Sequence, residues 1–149
     1  MAKTKMTPKD VEKLFGQGFH CSQCVIKHIA KASGLNEEEA VKFTAGLGGG
    51  CFFGGTCGAV SAGVVALSNV YGYNKPNSAE QNAILISKVQ EFQNRFEKIN
   101  GSILCKDLIG ENFAKPEGMK RIMDEGLTKG CTKYVADACE ILDDMLENK

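Results

Sequence analysis

Apolar residues recur at helical spacing along most of the chain. Thr7-Pro8 reads as an N-cap followed by a first helical position, and it opens a short helix to about Phe15. Gly16 and Gly18 stop it. A second helix is predicted from about Cys21 to Ser33, with Val25, Ile29 and Ala32 on one face and Gly34 closing it. Asn36 and Glu39 have capping-box spacing for a third helix, reaching about Ala45. From Gly46 to Thr56 the pattern breaks. Six glycines in eleven residues exclude a regular element there.

A fourth helix is predicted from about Cys57 to Val70. Val60, Val64, Leu67 and Tyr71 share one face, and Ala59, Ala62, Gly63 and Ala66 fill the others. A helix that is apolar all round is buried, within its own domain or against a partner. Gly72 to Asn77 is a turn, and Ser78 with Gln81 has capping-box spacing again. The following helix places Leu85, Val89, Phe92, Phe96 and Ile99 on one face before Asn100-Gly101 stops it. It extends about 31 Å at the helical rise. Ser102 to Ile109 is predicted as a short helix carrying Cys105. Residues 110–129 have the weakest pattern, with Pro116 opening one turn and Met119, Ile122 and Met123 at partly helical spacing. The last helix runs from about Gly130 to Leu146, with Val135, Ala138, Leu142 and Met145 on one face. With no alternating strand, linker or repeat, residues 1–149 read as a single all-α domain. The architecture expected is a helical bundle with a glycine-rich loop before a buried central helix.

Composition narrows the function. A chain of 149 residues with 43% hydrophobic residues can bury a real core. Its 18 basic and 18 acidic residues cancel, which argues against a nucleic-acid surface. Arg95 and Arg121 are its only arginines, so bidentate phosphate clamps are poorly supplied. The glycine run lacks the Gly-Lys-Ser/Thr of a phosphate loop and has no strand before it. Glu37-Glu38-Glu39 is a first helical turn, which favours negative charge without a metal. No apolar run follows the lysines near the N-terminus, and Ala59–Leu67 is too short to span a bilayer. A cytoplasmic protein without a membrane span is expected. In a reducing compartment its seven cysteines point to redox or metal chemistry rather than structural bridges.

Cys21, Cys24, Cys51, Cys57 and Cys131 fall at predicted segment starts or in the glycine loop. A helix N-terminus lowers a thiol pKa, and Cys57 is the sharpest case. That placement suits a nucleophilic thiolate, a disulfide partner or an iron–sulfur ligand. Cys21-Ser22-Gln23-Cys24 is a Cys-x-x-Cys pair on one helical face, without the βαβ context of thioredoxin and without a histidine following as in haem attachment. Cys139, well inside the last helix, reads as a small core residue. Phe52 and Phe53 read as a loop plug, His20 as a solvated residue at a helix start, and His28 as a surface or core-edge residue.

The chain also resembles a family. Gly18-Phe19-His20-Cys21-Ser22-Gln23, Gly48-Gly49-Gly50, Cys57-Gly58-Ala59, Cys105-Lys106-Asp107-Leu108 and Cys131 are similar to the redox-active proteins of the C_GCAxxG_C_C, or CGAxxG, type. The resemblance covers nearly the whole chain. It departs at Ala62, where the motif has glycine and where Gly63 follows. By position Cys21, Cys57, Cys105 and Cys131 match the four family cysteines, leaving Cys24 and Cys51 as auxiliaries. The resemblance implies that the four meet in one redox site. In a thiol version Cys57 is the thiolate and one of the other three resolves it. In a cluster version all four bind iron and sulfide, with the Gly48, Gly49, Gly50 and Gly58 backbone beside the cofactor. Either version needs a redox partner protein. The competing class is a non-enzymatic module with a structural metal or a protein-binding role. The apolar fourth helix and the long fifth one also lead us to expect a homodimer.

Overall fold

A computed structural model describes residues 4–147, so the first three and last two positions of the expected domain lie outside it. The described residues form an all-α bundle. Its helices are α1 (Pro8–Gly16), α2 (Cys21–Ser33), α3 (Glu37–Phe43), α4 (Gly58–Tyr71), α5 (Ala79–Asn100), α6 (Cys105–Ile109), α7 (Pro116–Glu125) and α8 (Cys131–Glu147). Short turns at Ala45–Leu47, Gly50–Gly54 and Leu127–Gly130 join them.

Local chemistry explains most of these boundaries. The Thr7 hydroxyl accepts from the Asp10 N–H at 3.2 Å, and the Asp10 carboxylate accepts from the Thr7 N–H at 2.9 Å. Two of the N–H groups that a helix start leaves open are satisfied in this way. Gly34 ends α2 in the left-handed conformation, at φ 77°. Asn36 caps α3 by accepting from the Glu39 N–H at 2.9 Å. The expected box at Ser78 does not form. Ser78 is not extended (φ −97°, ψ 47°), and its hydroxyl donates back to the Lys75 carbonyl at 2.8 Å. Gln81 instead donates to the Tyr71 carbonyl at 2.7 Å, tying the start of α5 to the end of α4.

α4 is the central helix, and α2, α5 and α8 cover it. The apolar surface of α4, one of the two features that suggested a second copy, is therefore largely buried within the chain. Ala59, Val60, Ala62, Ala66 and Leu67 are wholly buried there. Small side chains let the neighbours come close, and Gly63 is the extreme case: a Cβ on it would meet the Phe92 ring. The position that carries this close packing is Gly63, one residue beyond the family's glycine. Two core contacts are polar and paired. The Ser22 hydroxyl donates to the Thr44 carbonyl at 2.7 Å, and the Thr44 hydroxyl to the Ala40 carbonyl at 2.7 Å. His28 is a core-edge residue, 2.8 Å from the Asp143 carboxylate, and it links α2 to α8.

Two stretches differ from expectation. In α5 only Phe92 and Phe96 are buried, and Ile99 is 54% exposed. α5 outlasts the surface it packs on, so its apolar stripe is longer than its buried stripe. Residues 116–125 form a full helix, α7, where one turn was expected. Pro116 at its first turn and left-handed Gly126 at its end define it. It buries only Gly118 and Ile122, and its few apolar residues are outnumbered by charged ones, which accounts for the weak sequence signal.

The Gly63–Phe92 contact gives a stability prediction. Mid-helix Gly→Ala ordinarily stabilises by about 1 kcal/mol. Gly63→Ala is expected to destabilise instead, by about 1–3 kcal/mol, because the added methyl overpacks a closed core. Phe92→Ala should cost about 3–5 kcal/mol. The double variant should cost less than the sum, since each change relieves the other. Urea denaturation of the four proteins measures all three terms.

Candidate functional site

Four helix starts converge on one cavity. Cys21 is the first residue of α2, Cys57 the N-cap of α4, Cys105 the first residue of α6 and Cys131 the first residue of α8. All four line a single pocket of about 370 Å³.

Backbone contacts fix their relative positions. The Cys57 N–H donates to the Ile103 carbonyl at 2.7 Å, and the Cys105 N–H donates to the Gly55 carbonyl at 2.7 Å. These bonds flank an isolated antiparallel bridge between Thr56 and Leu104. Neighbouring residues on such a bridge face opposite sides, so Cys57 and Cys105 share the side turned to the pocket. Cys21 approaches from the other direction. A Cβ on Gly58 would lie 2.6 Å from the Cys21 sulfur and 2.8 Å from the Leu47 carbonyl oxygen. The absence of that Cβ lets the sulfur rest on the first turn of α4, where the backbone N–H groups of Gly49, Ser22, Ala59 and Gly58 face it.

The glycine loop builds the rest of the wall. Gly49, Gly50, Cys51 and Phe52 are consecutive residues with positive φ, from 52° to 65°. This left-handed turn carries Phe52 between His20 and Phe113, with ring centroids 5.0 and 5.8 Å away and both contacts edge-on. Phe52 is thus the plug expected in this loop. Phe53 is not, being 74% exposed. His20 stays exposed, as anticipated for a histidine at a helix start. Gly49 and Gly58 line the pocket. Gly48 backs onto the His20 side chain, and Gly50 packs on Gly55 behind the lining. Phe15, Phe19, Leu108, Ile109, Ile122 and Met123 complete an apolar enclosure. The α7 part of this wall lies in the stretch whose sequence pattern was weakest; the Met119, Ile122 and Met123 spacing was its one signal.

The remaining cysteines lie elsewhere. Cys24 and Cys139 are wholly buried in the core, and Cys51 is exposed on the loop; none of the three lines the pocket. Among the described residues no disulfide joins the cysteines.

Electrostatics overturn one expectation. Cys57 was expected to have a depressed pKa at its helix start. Burial instead pushes it up to about 12, reinforced by the neighbouring Cys21, and the N–H groups of Ala59 and Val60 oppose this only in part. Burial likewise pushes Cys105 up to about 11 and raises Cys21 and Cys131. Cys21 also raises Cys57, Cys105 and Cys131, so the four thiols resist ionising together.

Residues 19–145 match the family described as "Putative redox-active protein (C_GCAxxG_C_C)". The chain belongs to this family. The matched span includes all four pocket cysteines and the glycine loop between the first two. No curated protein and no solved structure matches the chain. The family's redox description fits a site whose distinctive side chains are sulfur. It is silent on how the sulfurs are used.

The donor set suits an iron–sulfur group. Four cysteines are the usual ligands of such clusters, and backbone N–H groups beside the sulfurs match their needs. Among the described residues no three His, Cys, Asp or Glu side chains are grouped to hold one metal ion.

Raised thiol pKa values make stability depend on pH. Each folded thiol holds its proton to a higher pH than the ordinary value of 9.0. Their contribution is therefore complete below about pH 9 and is lost as pH rises through 11 and 12. Metal-free, reduced protein is expected to lose urea stability steeply above pH 9, and Cys105→Ala should flatten that loss. An unchanged slope in Cys105→Ala would show that Cys105 does not contribute.

Proposed function

We propose that this protein is an electron carrier whose Cys21, Cys57, Cys105 and Cys131 hold an iron–sulfur cluster in the pocket. The observation that carries this reading is the convergence of four unpaired cysteines, each from a different helix start, on one cavity. When bound, the cluster supplies reversible one-electron chemistry.

The chain's residues have separable parts in this reading. The four sulfurs are ligands. Gly49, Gly58 and Ala59 present backbone N–H groups beside Cys21, where they stabilise negative charge on sulfur. Gly58 also leaves the room that Cys21 occupies. Phe52, Phe113 and the aliphatic wall exclude water, and a dry surround tunes potential and slows cluster hydrolysis. The thiol-exchange version is less well supported. Its nucleophile must be a thiolate near neutral pH, and burial works against ionisation at all four positions.

Anaerobic reconstitution with ferrous iron and sulfide tests the proposal. The expected product has visible absorption, bound iron and bound sulfide, and a reversible reduction step. Replacing Cys21, Cys57, Cys105 or Cys131 by serine should each remove most of the iron. Cys24→Ala, Cys51→Ser and Cys139→Ala should keep it. Retention of zinc alone, surviving thiol reductant, would replace the electron carrier by a structural metal module. A colourless protein that cycles one pocket disulfide would establish the thiol version instead.

A further inference from the structure

The pocket has more lining than four sulfurs require. Phe15, Phe19, Phe113, Leu108, Ile122 and Met123 bring aromatic and aliphatic surface to the same cavity. At about 370 Å³ it falls within the size range of small-molecule sites, about 300–1,000 Å³. Its chemistry is unusually one-sided. Among the described residues no carboxylate, lysine or arginine lines it. The Tyr134 hydroxyl is already engaged, donating to the Leu108 carbonyl at 3.0 Å. The polar side chains left at the wall are His20 and Thr128. A cation entering this space would lose its hydration and find no carboxylate, and an anion would find no charged side chain, only N–H groups that already face the Cys21 sulfur.

One wall is also built differently from the others. α7 supplies Ile122, which is 2% exposed, and Met123, which is 71% exposed although it lines the pocket. Among the described residues the most extensive packing of α7 is on the turn after it, Leu127–Gly130. Left-handed glycines, Gly110 and Gly126, bracket the stretch that contains it. An unbranched, polarisable methionine at the rim of such a wall adapts to different apolar shapes.

We infer that this pocket is a binding site for an uncharged, ring-bearing small molecule, held between the aromatic side chains and the Ile122–Met123 edge of α7. Edge-on aromatic contacts of the kind Phe52 already makes with Phe113 are available to such a ring. The molecule would lie in the same cavity as the cysteine sulfurs. The inference goes beyond the electron-carrier reading and does not require it, because the apolar wall belongs to the polypeptide alone.

Fluorescence titration of metal-free, reduced protein tests it with two dyes. Aminoanthracene is neutral, and anilinonaphthalene sulfonate is a similarly sized anion. The chain has no tryptophan, so dye emission is read without an indole background. Saturable binding of about one aminoanthracene per chain is expected, at least about tenfold tighter than the anionic dye. Met123→Glu should weaken it by about tenfold or more with an unchanged melting temperature, while Met123→Leu should restore it. Ile84→Glu, on the exposed side of α5, should have no effect. Non-saturable binding, equal binding of both dyes, or equal sensitivity to Ile84→Glu and Met123→Glu would overturn the inference. Failure of iron reconstitution leaves this titration readable, so the two proposals fail separately.

Discussion

The site depends on one close approach. The first turn of α4 can carry the Cys21 sulfur only because residue 58 has no side chain; a Cβ there would also strike the Leu47 carbonyl and crowd the Gly48 Cα. Two of those obstacles are backbone, which cannot rotate out of the way. The same approach determines where α2 begins relative to α4, and these two helices form the most extensive helix pair of the bundle. Gly63 repeats the device further along α4, against Phe92. One glycine thus sets the sulfur geometry and the other the core spacing, with Ala59 and Ala62 wholly buried between them.

Placing thiols at helix starts sets two electrostatic effects against each other. A helix N-terminus favours a nearby anion by roughly 0.3–1 kcal/mol, and by about 2 kcal/mol in partly buried geometry. One pKa unit corresponds to about 1.4 kcal/mol, so the helix can lower a thiol by about one unit. Full burial can raise it by about 3–5 units. Desolvation therefore wins at Cys57 and Cys105, and each neighbouring thiol adds to it. In the proposed cluster-bound state the sulfurs would be anionic, and the oriented N–H groups of the helix starts would then favour that charge.

Much of this was legible in the chain because helix signals are local. Thr7-Pro8, Gly34 and Asn36 each act within a turn or two, and each boundary they mark is where the structure has it. The apolar character of α4 identified a buried helix for the same reason. The convergence of the four cysteines was legible only through the family pattern, since no local rule brings positions 21, 57, 105 and 131 together. Ser78 shows the limit of local patterns. Its spacing to Gln81 fits a capping box, but the tight turn before it rotates the hydroxyl toward Lys75. α7 shows a different limit. Met119, Ile122 and Met123 are its only large apolar residues among many charged ones, so one face is marked but the segment as a whole reads as polar.

The glycine run was read as irregular, and its irregularity has a structure. Four successive residues in the left-handed region make one left-handed turn. Gly49 and Gly50 adopt it without a Cβ penalty. Cys51 and Phe52 do not, and each costs about 1–2 kcal/mol there. The fold offsets this at three points. The Gly55 N–H closes the turn on the Gly50 carbonyl at 3.0 Å. Phe52 gains its contacts with His20 and Phe113. The Gly55 carbonyl then receives the Cys105 N–H, which joins the turn to the third cysteine segment. A right-handed turn would point residue 52 away from the pocket and move the Gly55 carbonyl off Cys105. The strain at Cys51 and Phe52 is therefore tied to the wall that Phe52 forms and to the placement of Cys105.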